Sequence, residues 1–376
     1  MTAHAATGLV AGLLALAATA CQQAPAELAV CVAASAAPLS GAPLELGGRG
    51  GIAADREGGL YVLDSRAAEL TALSPSGQKR WRAGREGAGP GEFIHGTGLQ
   101  WAGGRLVFRD LENHRLSFWM PDGRSAGEVP LPRFRFPGYP GWVGVLDTGT
   151  VAAAIPPAPR FTGHAPPEDG MLVLARSGSS TVDTLLRFAF PPTVMRPLPG
   201  GGRAPGFPRM AAFPQFAVAP EGLFVVPDGS RYRIEAFDGR GRRTATFSGP
   251  DGNPPVTARD REEYLENAQP GSSDADDFPS HFPAVAELYT GMDGTLLVKT
   301  FWTRDGAVRW DRWSATDGRF LHSFTLPESV QDATPAGDRI YAVGLDSLDV
   351  PVIRAFRLEG TGQCPGPSVA GSSPAT

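Results

Sequence analysis

The stretch "REGAGPGEF" (85–93) places three glycines, Gly87, Gly89 and Gly91, within five residues, the density a phosphate-cradling loop needs. Such a loop points successive backbone N–H groups at an anion and is followed by Lys-Ser/Thr and a helix. Here Pro90 removes one N–H, Glu92 adds negative charge, and the following residues read as a strand. The six histidines (His4, His95, His114, His164, His281 and His322) are scattered. There is no G-x-S-x-G, H-E-x-x-H or Walker sequence, so no catalytic residue is assigned. The acidic run Asp274, Asp276 and Asp277 has the charge of a calcium loop. It lacks that loop's glycine turn and terminal glutamate, and reads as a solvated face.

The elements that would position these residues are strands. The chain has 48 glycines and 36 prolines in 376 residues, which suits many short strands joined by turns and penalises helix interiors. A hydrophobic content of 42% is enough for a sizeable core. The net charge of −5 argues against a nucleic-acid partner, because phosphate binding needs a concentrated basic field.

The N-terminus reads as an address. "GLVAGLLALAATA" (8–20) is a continuous apolar run, too short to span a bilayer and suited to the apolar region of a signal peptide. It ends in "AATAC", which resembles the bacterial lipobox, where cleavage precedes a cysteine that carries lipid. Residues 1–20 are therefore expected to be a lipoprotein signal peptide and Cys21 the lipidated residue, with an ordinary cleaved signal as the alternative. An odd count of three cysteines leaves one unexplained in an exported protein. Lipidation of Cys21 leaves Cys31 and Cys364, which an oxidising compartment permits to pair, with two unpaired thiols as the alternative.

Three segments align without gaps: 58–77, 103–123 and 221–241. In each, a glycine opens an apolar strand ending in an aspartate (Asp64, Asp110, Asp228), and a turn glycine follows thirteen residues later (Gly77, Gly123, Gly241). A residue recurring in every well-kept repeat serves the repeat, and these aspartates are read as acceptors for turn N–H groups. Looser copies bring the total to six units, starting near 50, 97, 141, 214, 284 and 330. The segment 256–267, with Thr257 as N-cap, predicts a helix between the fourth and fifth.

The first unit, "GGIAADREGGLYVLDSRAAELTALSPSGQKRWRAGREGAGPGEF", resembles an NHL-type repeat. The whole resembles bacterial six-bladed β-propeller proteins, many of them exported lipoproteins. The resemblance implies an all-β, six-bladed propeller over 49–362 with one short helical insertion between blades four and five. Residues 21–48 would be a linker contributing a strand to the short last blade, either "LAVCVA" (28–33) or "LELGG" (44–48), and 363–376 a disordered tail. In this architecture Glu92, His95, Arg135, Gln215 and His281 fall just before innermost strands and would rim one mouth of the central channel. They are the candidate ligand-binding residues. Two histidines in register are fewer than a zinc site needs, so no metal ligands or resident cofactor are assigned. The expected function is a scaffold in the bacterial envelope, periplasm-facing or on the outer surface. It would bind a protein, peptide or glycan at the channel mouth and reach the membrane through its lipid. The alternative is a channel-sited, Ca- or Zn-dependent hydrolase or lyase of the lactonase or amidating-lyase kind.

Overall fold

Each repeat folds as a four-stranded antiparallel sheet in simple up-and-down order. The computed structural model describes residues 33–37 and 49–359, apart from 132–141, 148, 158–168, 177–181, 192–193, 198–200, 207–208, 250–252, 267–277, 305, 347 and 349. Blade one comprises Arg49–Ala54, Leu60–Asp64, Glu69–Leu73 and Lys79–Ala83. Blade two comprises Gly96–Ala102, Arg105–Asp110, Arg115–Trp119 and Ser125–Pro130. Blade three comprises Trp142–Val145, Thr150–Ile155, Asp169–Arg176 and Val182–Ala189. Blade four comprises Gln215–Ala219, Gly222–Val226, Arg233–Phe237 and Arg243–Ser248. Blade five comprises Glu287–Thr290, Thr295–Arg304, Ala307–Ser314 and Phe320–Pro327. Blade six has Val330–Ala336, Arg339–Leu345 and Pro351–Glu359, and its fourth strand is Ala33–Ala37 from the other end of the chain.

The first strand of each blade contacts the first strands of both flanking blades, so the six close into a ring around a central channel. Sheets arranged this way bury both faces, and the middle strands lose the alternation of a half-exposed sheet. Thr150–Ile155 and Gly222–Val226 are buried at every position, whereas the outer strand Lys79–Ala83 is largely exposed. Among the described residues the core divides into six apolar clusters, one at each blade–blade seam. The protein is thus a six-bladed β-propeller.

The closing strand is neither of the two segments favoured by sequence. It is "AASAA", which shares only Ala33 with the first candidate and pairs antiparallel with the last strand, Ala33 opposite Glu359 and Ala37 opposite Ala355. Blade five is enlarged by a long hairpin, as its extra residues imply. The one α-helix among the described residues is Ala258–Glu266, between blades four and five. Thr257 caps it: its Oγ1 accepts from the Asp260 N–H at 3.3 Å, and Asp260 Oδ2 accepts from the Thr257 N–H at 2.7 Å. A two-stranded hairpin, Val194–Pro197 with Arg203–Gly206, precedes blade four.

Candidate functional site

The glycine loop is held shut by its own side chains. Glu92 Oε2 accepts from the Gly89 N–H at 2.8 Å and Oε1 from Arg85 Nε at 2.8 Å, so a carboxylate already occupies the concave side of the turn. Those two interactions hold the Glu92 carboxyl below its usual range, the Gly89 amide contributing most. A Cβ on Gly87, at φ +153°, would lie 2.2 Å from that carboxylate, so the glycine makes room for Glu92. The loop's carbonyls face a cation: Arg115 donates to the Ala88 carbonyl at 3.0 Å and the Glu92 carbonyl at 2.7 Å. The buried Asp110 carboxylate fixes Arg115 at 2.9 Å and also accepts from the Ile94 N–H at 2.9 Å. The expected capping of the following turn holds at Asp64 and Asp228 but not at Asp110, whose own turn offers it the Asn113 side chain and no amide. Asp64 accepts from the Arg66 and Ala67 amides and Asp228 from the Ser230 amide.

The other sequence candidates are dispersed. His95, in the left-handed region at φ 54°, is exposed with its Nδ1 3.3 Å from Glu112 Oε1. His281 is exposed, its Nδ1 3.1 Å from Ser280 Oγ, and pairs through its backbone with Pro255 at the base of the helical insertion. Gln215 begins the inner strand of blade four and donates to the Phe213 carbonyl at 3.3 Å. Cys21, Cys31, Cys364, Arg135 and the acidic run 274–277 lie outside the described residues. Among the described residues no three His, Cys, Asp or Glu side chains converge on a common point that could hold a metal.

The cavity formed by the ring lies elsewhere, along the inner strands themselves. It has a volume of about 270 Å³ and is walled by all six of them. Neither Glu92, His95, Gln215 nor His281 lines it. Its aromatic wall is Trp101, Trp142, Phe216 and Tyr289, and its charged groups are Arg109 and Asp332. Trp142 stacks on Phe216 at 5.3 Å across the seam of blades three and four. Trp101 meets Tyr61 edge-on at 5.3 Å and donates its indole N–H to the Ala54 carbonyl at 2.9 Å, which fixes its plane.

Arg109 stands on the second strand of blade two, opposite Thr97 near the start of the inner strand. Its Nε is buried without an acceptor, and no acidic side chain among the described residues pairs with it. Burial lowers its pKa, but arginine keeps its charge at any physiological pH. An unmatched guanidinium in a channel wall costs free energy unless something arrives to pair with it.

Asp332, the third residue of its inner strand, faces the channel where blade six meets blade one. Burial, aided by the Glu287 charge, pushes its carboxyl up to about 7, while the Ala333 and Ile52 amides and Lys299 oppose the rise. Glu287 itself is raised by burial. Lys299, 3.8 Å away, limits the rise, and the Tyr289 hydroxyl donates to the same carboxylate. The Lys299 ammonium is occupied further by the Val330 carbonyl at 3.1 Å and the Trp310 ring at 5.8 Å. Among the described residues Arg109 is therefore the channel's uncommitted cation.

Fold and site together define a six-bladed propeller with an aromatic channel and one unpaired guanidinium. No protein-family model matches the chain, and no curated protein does. Solved structures match it in fold. A member of the DUF4221 family from Bacteroides vulgatus is 8% identical with a TM-score of 0.50, over 89% of this chain and 99% of that one. A protein of Bacteroides fragilis inferred to be exported is 12% identical with a TM-score of 0.47, over 90% and 97%. Regucalcin, a calcium-binding protein from Agrobacterium tumefaciens, is 15% identical with a TM-score of 0.42, over 89% and 98%. Among the described residues no helix is long and apolar enough to cross a membrane.

Proposed function

We propose that this chain is an exported, lipid-anchored NHL-like propeller of the bacterial envelope whose channel receives a group of a protein, peptide or glycan partner. The observation that carries the binding reading is Arg109, a partly buried cation in the channel wall with no acceptor among the described residues. Concave sites that join aromatic and aliphatic side chains to a few convergent polar groups are where ligands bind. The apolar run 8–20 and the "AATAC" sequence support export and lipidation at Cys21. Pairing of Ala33 with Glu359 supports a Cys31–Cys364 bridge, because the two cysteines flank the same end of that strand pair.

Peptide and glycan arrays probed with the full mature chain and with Arg109→Gln test the binding reading. Hits lost in the variant are expected, and an array on which nothing depends on Arg109 overturns it. Cys21→Ala should release the protein from membranes. A variant that stays membrane-associated refutes the anchor.

A hydrolase or lyase is the second reading, and Asp332 is the observation that favours it, since a channel carboxyl near neutrality suits proton transfer. Metal analysis of purified protein separates its metal-dependent form from binding alone: stoichiometric Ca or Zn, lost in Asp332→Asn, would favour the enzyme.

A further inference from the structure

We infer that the group held in the channel is a single carboxylate on an apolar or aromatic body, its oxygens against Arg109 and its body against Trp101, Trp142 and Phe216. The inference rests on the channel-binding reading and adds the chemistry of the ligand. Three features of the cavity argue for it. Among its described lining residues Arg109 is the only base and Asp332 the only acid, so one negative charge on the ligand is matched and a second is not. Dianionic phosphate or sulfate would face Asp332 and, behind it, Glu287 with no further free cation, since Lys299 already serves Glu287 and Val330. A guanidinium, by contrast, suits the planar carboxylate, which it can hold through two parallel hydrogen bonds.

The rest of the wall is uncharged, with Gln100, Thr290 and Thr334 beside the apolar residues. Leu99, Val143 and Leu288 stand among the aromatics, which favours a ligand body without charge. The volume of about 270 Å³ lies at the small end of ligand pockets, which suits a small acid or the end of a chain. The acid can be a free molecule or the end of a chain ending in an aromatic residue.

Asp332 makes the same site pH-sensitive. The groups that act on it are Glu287 and Lys299 of blade five and the Ile52 amide of blade one, while the neighbouring strand of its own blade places Val343 opposite it. With its carboxyl up to about 7, Asp332 is neutral at pH 6 and charged at pH 8. A carboxylate ligand, ionised above about pH 5, meets a like charge only at the higher pH.

The test is calorimetric titration of the full mature chain with 3-phenylpropanoate, phenyl phosphate and 2-phenylethylamine at pH 6 and pH 8. The carboxylate should bind most tightly and more tightly at pH 6. Arg109→Gln should weaken it at least about tenfold and Arg109→Lys less, with near-ultraviolet circular dichroism unchanged. Asp332→Asn should bind at pH 8 as the parent does at pH 6. Phenyl phosphate or the amine binding as tightly, no binding of the carboxylate, or an unaffected Arg109→Gln overturns the inference. A short peptide ending in phenylalanine, with a free carboxylate and as its amide, separates the sources: a free-acid peptide that binds tighter than 3-phenylpropanoate assigns a chain end, and weaker binding assigns a free acid. If the arrays return Arg109-dependent hits while the carboxylate fails, the channel-binding reading stands alone. If neither depends on Arg109, both fall.

Discussion

Replacing Phe93 by alanine tests whether the glycine loop exists to place an aromatic anchor between blades one and two. Phe93 is wholly buried, meeting Phe108 edge-on at 4.7 Å and Trp119 edge-on at 6.3 Å within that seam's cluster. Truncating a buried phenylalanine costs about 3–5 kcal/mol, and the rigid sheets on both sides leave little room to collapse, which places Phe93→Ala near the upper end. Gly84 makes the reasoning sharper. It sits at φ +95°, and a Cβ there would be 2.6 Å from Phe93 Cε1 and 2.8 Å from the Ala68 carbonyl oxygen. Gly84→Ala alone should therefore cost about 2–4 kcal/mol, from backbone strain and overpacking together. In the double variant the ring is gone, but the strain and the Ala68 contact stay. The double variant should then be less destabilised than the sum of the singles by about 1–2 kcal/mol. Urea unfolding followed by tryptophan emission measures all four proteins of the cycle. A loss below about 1 kcal/mol in Phe93→Ala, or a strictly additive cycle, would refute the anchor.

Three further outcomes follow from the structure. The folded Asp332 carboxyl is raised to about 7 from 3.8, so the folded state holds a proton the unfolded chain has released. The Asp332 contribution to stability should therefore be lost as pH rises from 4 through 7, so the melting temperature of the parent relative to Asp332→Asn should fall across that range. His322 is held down to about 4 by burial and the nearby Arg312 charge. The unfolded chain then binds a proton first, so this contribution, of opposite sign to that of Asp332, should lower the melting temperature of the parent relative to His322→Gln as pH falls from 6.5 towards 4. Ser35→Pro removes a backbone donor from the strand that completes blade six, where Ser35 faces Arg357. It should lower the melting temperature and increase proteolysis of the last strand, and an unchanged protein would mean the closure contributes nothing.

The sequence revealed the blades because repetition fixes them. Asp64, Asp110 and Asp228 keep one spacing to their turn glycines; Asp64 and Asp228 cap the turns of their own blades, and Asp110 instead ties the Ile94 amide before its blade's inner strand to Asn113 and Arg115. The start points read near 50, 97, 141, 214, 284 and 330 lie within a few residues of the six inner strands for the same reason. The closing strand is not legible in sequence because "AASAA" has no β-branched or aromatic residue, and backbone pairing to Pro351–Glu359 sets its place where propensity does not. The channel was harder still. His95 and His281 stand in the segments before the inner strands, whereas the cavity is built from the strands themselves. Arg109 hides in "RLVFRD" as one more alternating polar position, and only the ring shows that its side faces inward. Asp332 in "SVQDATPA" offered a faint signal, a lone acid within a strand that should line a dry wall.

The last blade also governs how the ring bears force. Ala33 faces Glu359, so the two chain ends leave the closing pair at the same end. Tension between those ends would peel the pair one hydrogen bond at a time, like a zip, rather than shear all of them together. A sheet loaded that way yields easily, however well its blades are packed. The proposed Cys31–Cys364 bridge would sit at the open end of the zip. There it would take the pull of a membrane tether before the first hydrogen bond felt it, a mechanical purpose that the proposed bridge would add to stability.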